Sequence, residues 1–162
     1  MRAISQNDAA TLECLRLGTD QIVVHATSAQ TGGALFAVEI LMPPGGGPPV
    51  MHRHDPGEVY FVLHGEFAFY TEDPDGSVRR WTAGAGAVVP LDRGTPHTIR
   101  NESGADAAAF VVYAPGAPME GFMRAAAALA ADGDPGMDAV LAIAAQHGIE
   151  LLGPVSADGG RT

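Results

Sequence analysis

Four side chains in this sequence have the types and spacing to gather a metal ion: His52, His54 and Glu58 in the stretch HRHDPGE, and His97 in the later stretch HTIRN. Neutral imidazoles and a carboxylate suit one borderline divalent ion, whether iron, nickel, cobalt, manganese, copper or zinc. His52 and His54 are two apart, so in an extended segment they point to one side. Glu58 has the same parity, but Asp55-Pro56-Gly57 reads as a bend or bulge, so parity permits the three donors to meet without requiring it. A fourth donor must come from elsewhere, and His97, opening a strand after the turn DRGTP, is the strongest candidate. An HxH pair alone is better read as a polar turn; the wider pattern has to decide. His25, His64 and His147 are weaker candidates, because histidine more often serves as a surface or hydrogen-bonded group.

The elements that must position these donors are short strands. From Leu12 to Ala114 the chain offers LECLRL, QIVVHA, ALFAVEILM, VYFVL, EFAFY, VRRW, AVVP, HTIRN and AAFVVYA, with turn residues between them. Phe36, Val38, Ile40 and Met42 fall on one side by the two-residue period. PPGGGPP at 43–49 stops that strand, and EDPDGS marks a hairpin-type turn. Without strand–helix alternation, the pattern predicts an all-β sandwich or barrel. After Pro115 the character changes: GFMRAAAALAADG and PGMDAVLAIAAQHG read as two short helices, the second stopped by Gly148. The expected organisation is a flexible arm at 1–10, a β-domain at 11–115, a helical appendage at 116–154 and a flexible tail at 155–162.

Hydrophobic residues make up 46% of the 162 and charged ones 17%, too apolar a balance for a disordered chain. A formal charge of −10 disfavours nucleic acid and acidic membranes as partners. The single cysteine, Cys14, excludes an intramolecular disulfide and a Cys-rich zinc site, and it reads as a small buried hydrophobe. No secretory h-region or membrane-length apolar run stands out, so a cytoplasmic location is expected.

The wider pattern resembles the cupin superfamily. Gly46, His52, His54, Glu58 and Gly65 meet every position and interval of the first cupin motif. Gly86, Gly94, His97 and Asn101 match the second, with Asp92 where proline is usual. The resemblance implies an all-β fold, the cupin double-stranded β-helix or jelly-roll barrel, with two short C-terminal α-helices behind it. It implies one divalent metal ion held by His52, His54, Glu58 and His97, with Glu58 as ligand, proton acceptor or both. Asn101 is expected to be structural, Arg53 a surface residue and Asp55 a shaper of the DPG turn. Arg79, Arg80 and Arg93 are read as turn or surface residues near the mouth. Phe36, Val38, Tyr60, Val62, Ile99 and Phe110 are the expected substrate-binding wall, suited to an apolar or aromatic ligand.

Within the superfamily, the segments TGGALFAVEILMPPGGGPPVMHRH, VYFVLHGEFAFY and AIAAQHGIELLGP resemble small bacterial cupins related to quercetinase. That resemblance implies a metal-dependent dioxygenase acting on a flavonol or similar aromatic hydroxy compound, with dioxygen as co-substrate. A metal-assisted polyketide cyclase or isomerase and a non-catalytic small-molecule-binding cupin are the alternatives. A homodimer is expected by the same resemblance.

Overall fold

In the segment GEVYFVLH the side chains alternate: Glu58, Tyr60 and Val62 are buried, while Val59, Phe61 and Leu63 stay between 39% and 43% exposed. That period of two is what a strand with one covered face requires, and it recurs along the chain. The structure is a computed structural model describing residues 11–133 and 135–155. The arm expected at 1–10 and all but the first residue of the expected tail lie outside the described residues.

The strands are β1 (Cys14–Leu17), β2 (Asp20–Ala26), β3 (Phe36–Met42), β4 (Val50–His54), β5 (Gly57–His64), β6 (Glu66–Glu72), β7 (Val78–Gly84), β8 (Val88–Leu91), β9 (His97–Arg100), β10 (Ala107–Ala114) and β11 (Ile149–Pro154). Two helices, α1 (Ala117–Ala131) and α2 (Gly136–Gln146), lie between β10 and β11. One sheet has six strands in the order β1-β2-β3-β10-β5-β8, and the other has five in the order β11-β4-β9-β6-β7. Phe36, Val38, Val62, Phe67, Phe69 and Val111, all at most 1% exposed, belong to the hydrophobic core.

The expected closed jelly-roll barrel is not what forms. At the ends of the two sheets, β8 is paired only with β5, and β7 only with β6, so no ladder joins the sheets among the described residues. Pro90 lies in the edge strand β8 and has no N–H to offer a further neighbour, a placement typical of edges. The two C-terminal helices are present. The segment after them differs from the expected helical appendage, because Ile149–Pro154 returns as a strand on β4. Cys14 is also exposed in β1 instead of buried.

The loop between β3 and β4 sets where the histidine strand begins, and two buried polar residues pin it. Gly47 N–H donates to Asp20 Oδ2 at 3.1 Å. A Cβ on Gly46 would lie 2.4 Å from Asp20 Oδ1 and 2.6 Å from Met42 Cγ, so this position has room only for glycine. Asn101, fully buried, donates through Nδ2 to Met42 O and Ala105 O and accepts at Oδ1 from Ser103 N–H and Oγ–H. Its backbone exchanges bonds with Gly45 and Gly46. A side chain so fully engaged is a structural peg.

Helix α1 is tied down at its first turn. Glu120 accepts from Ser28 N–H at 2.7 Å and Ser28 Oγ–H at 2.6 Å, and from Arg124 Nε at 3.0 Å. Met119 and Met123 turn their side chains into the core. Among the described residues, no helix is long and apolar enough to cross a membrane.

Candidate metal centre

Three strands bring the donors together. His52 and His97 are direct register partners on β4 and β9, with ring centroids 4.4 Å apart. His54, two residues along β4, has its ring centroid 5.0 Å from that of His97. One potential ligand atom from each of the three lies within 4.8 Å of the others. On the strand β5, Glu58 directs Oε1 to 2.5 Å from His97 Nε2 and 4.0 Å from His54 Nε2.

The backbone fixes which nitrogen of each ring faces the cluster. His54 Nδ1 is 2.8 Å from Pro56 O, His97 Nδ1 is 2.8 Å from Thr95 O, and His52 Nδ1 is 3.4 Å from Val50 O. A carbonyl can only accept, so each Nδ1 carries its proton, and a neutral ring then presents Nε2 as a bare lone pair. Such outer hydrogen bonds orient histidine ligands in metal sites.

His54 Nε2, His97 Nε2 and Glu58 Oε1 are buried and converge on one another, with no hydrogen-bond partner outside the cluster among the described residues. Buried polar atoms are normally satisfied, and a convergent set of bare nitrogen and oxygen donors is the chemistry a divalent cation completes. The three-histidine cluster can therefore hold one divalent metal ion.

Charges within the cluster are set by burial and by each other. Burial, reinforced by His97, holds His52 down to about 3. Burial also lowers His54, with Glu58 pulling the other way. Burial alone would raise Glu58, but the neighbouring imidazoles, His97 foremost, outweigh it and keep the carboxyl below its ordinary value. Burial likewise opposes protonation of His97, yet the Glu58 carboxylate prevails and its pKa is raised.

Of the residues expected to line a substrate wall, Phe36, Val38, Tyr60, Val62 and Ile99 are buried in the core between the sheets. Phe110 is not among them. It alternates with the buried Val111 and Tyr113, and its ring instead meets His25 edge-on at 5.4 Å. Arg53 reaches Glu150 of β11 through Nε at 3.0 Å. Asp55 accepts from Arg93 Nη2 at 2.7 Å, a side-chain link instead of the expected turn-shaping backbone bonds.

Tyr60, expected as a wall residue, also touches the cluster, and Tyr113 and Thr71 beside it escaped the sequence reading. Tyr60 Oη–H donates to Glu58 Oε2 at 3.3 Å, and Tyr113 is the register partner of Glu58 on β10. One carboxylate oxygen is thus held by the Tyr60 phenol while the other faces the histidines. An open cleft of about 700 Å³ lies alongside, bordered by Thr71, Arg79, Trp81, Leu91 and Pro96. None of His52, His54, Glu58 and His97 lines it. Thr71 and Leu91, the register partners of His97 and Glu58, form the shared wall.

Residues 38–113 match the model described as Cupin domain. A search of curated proteins found no match. Among solved structures, an oxalate decarboxylase from Bacillus subtilis at pH 4.6 superposes with a TM-score of 0.59 at 17% identity, over 72% of this chain and 31% of its own. An oxalate decarboxylase formate complex from Lactobacillus farciminis gives 0.58 at 17% identity, over 70% of this chain and 34% of its own. The chain spans about a third of the length of these structures, and at such identity they show the fold alone. Residues 38–113 thus match the model of the Cupin domain on a fold shared with these structures, and within that stretch His52, His54 and His97 make a cluster able to hold one divalent metal ion.

Proposed function

We propose that this chain is a metal-dependent cupin enzyme of the dioxygenase kind, acting on a flavonol or similar apolar aromatic hydroxy compound. The observation that carries the reading is the convergence of His54 Nε2, His97 Nε2 and Glu58 Oε1, all buried and with no hydrogen-bond partner outside the cluster among the described residues. The interior beside them is apolar, with Tyr60, Val62 and Ile99 following Glu58 and His97 on the inward side of their strands.

When bound, a divalent ion would supply positive charge for a substrate oxygen and a meeting point for a reduced organic anion and dioxygen. His52, His54 and His97 would hold it through Nε2, with Glu58 as a fourth ligand. The orientation of Glu58 suits a second role. Tyr60 fixes Oε2, leaving Oε1 aimed at the cluster, where it can take the proton of a substrate hydroxyl. The surrounding side chains exclude water, which strengthens both the charge contacts and the proton transfer.

The test is turnover with and without dioxygen, on protein of measured metal content, against a panel of flavonols and polyketide-like aromatics. Product that requires both metal and dioxygen supports the reading. Product formed equally under anaerobic conditions would assign the site to a cyclase or isomerase. A spectral shift with no product in either atmosphere would assign it to a binding protein.

A further inference from the structure

We propose that Thr71 is a specificity-determining residue of this centre, its hydroxyl serving the second oxygen of a planar aromatic ligand that carries two adjacent oxygen atoms. This deepens the proposed function and rests on the metal reading of the histidine cluster. The observation behind it is a row of side chains running across the whole five-stranded sheet. Leu151, His52, His97, Thr71 and Arg79 are successive register partners on β11, β4, β9, β6 and β7.

Residues directly opposite one another on a ladder project to the same face, with Cβ atoms ~5 Å apart. Thr71 therefore stands beside His97 on the inner face. It is 5% exposed, and its Oγ1 is buried with no hydrogen-bond partner among the described residues. Packing alone does not call for a hydroxyl there, since valine has the same shape without an unpaired polar atom. A donor held unpaired next to a set of metal-ligand lone pairs is placed for an atom that arrives with the ligand.

The next inward row supplies a flat wall. Ile99, Phe69 and Trp81 are register partners, and the Phe69 and Trp81 rings stack at 5.6 Å with an interplanar angle of 16°. Trp81 also borders the cleft, one strand over and two residues along from Thr71, on the order of 8 Å away. A planar ring lying along Trp81 would bring its oxygen-bearing edge toward Thr71, which stands between the cleft and the histidines. Strongly anionic ligands fit less well, because each cleft arginine already holds a carboxylate: Arg53 with Glu150, Arg79 with Asp73 and Arg93 with Asp55.

The experiment is a visible-absorbance titration of metal-loaded wild-type protein, Thr71→Val and Thr71→Ser, with metal content measured on every sample. The probes are 4-nitrocatechol, with two adjacent oxygens, and 4-nitrophenol, with one. Thr71→Val is expected to weaken 4-nitrocatechol about tenfold while leaving 4-nitrophenol unchanged. Thr71→Ser, which keeps the hydroxyl, should restore most of the affinity; it also serves as the reporter if the valine variant does not fold, by preserving preference for the catechol. Equal 4-nitrocatechol binding by wild type and Thr71→Val overturns the Thr71 assignment and leaves the metal centre standing. So does failure of the metal-loaded wild type to bind 4-nitrocatechol. Wild-type protein that takes up no metal overturns both.

Discussion

His52 and His97 face each other directly across β4 and β9, so two separate sequence motifs are joined by a single ladder position. Among the described residues that pairing is the only register contact between the two strands, and β4 is held mainly by β11 on its other side. The cluster's geometry therefore depends on both the inner strands and the returning C-terminal segment. Its electrostatics follow from packing three imidazoles and a carboxylate where water is excluded.

Metal affinity should depend on pH through one proton. Burial keeps His52 and His54 neutral below the ordinary histidine range, so both offer lone pairs at neutral and mildly acidic pH. His97 is the exception, because Glu58 raises its pKa. Below that raised pKa, metal uptake must displace the His97 proton; above it, no proton is released. Affinity is expected to fall about tenfold per pH unit on the acid side and to level off on the alkaline side. Chelator competition across a pH series measures the slope, and two or more protons per metal near neutrality would contradict this assignment.

Tyr60→Phe should loosen the site without unfolding the chain. The ring keeps its edge-on contact with Phe69 at 5.4 Å, but Glu58 Oε2 loses its phenol donor. Removal of an outer hydrogen bond of this kind typically weakens metal binding about 10–100-fold. Metal affinity and circular dichroism measured together check this; unchanged affinity in a folded variant would show that Tyr60 does not orient Glu58.

Gly46→Ala should be costly where Gly104→Ala is not. A Cβ at Gly46 would collide with Asp20 and Met42, whereas a Cβ at Gly104 meets nothing within 4 Å. Overpacking of a filled site costs about 1–3 kcal/mol, and a neutral surface change stays within about 0.5 kcal/mol. Denaturant melts of the two variants should differ accordingly. Equal stability would mean that the Asp20-pinned loop yields to the extra atom.

The metal donors were legible in the sequence because their chemistry and intervals are local: two histidines at one parity, a carboxylate after a short bend, and a later histidine after a turn. The strand alternation around Tyr60 and Val62 was legible for the same reason. Phe110 was not, because AAAFVVYA is apolar on both faces and gives no parity; a register shift between Ala108 and Ala109 adds to the ambiguity. The strand β11 escaped because its partner β4 lies far earlier in the chain, and Gly148 signals only that a helix stops. Closure of the sheets is likewise a matter of edge pairing, which motif spacing does not specify. Thr71 reads locally as an ordinary β-former, and only its register with His97 sets it beside the cluster.

The most direct test is metal content per chain, by elemental analysis of wild type and His97→Ala purified in parallel and matched for folding by circular dichroism. One divalent ion per wild-type chain is expected, and little or none in the variant, because the cluster loses one of the three histidines whose ligand atoms converge within 4.8 Å. Wild-type protein without stoichiometric metal, or a variant that retains it in full, would contradict the centre itself.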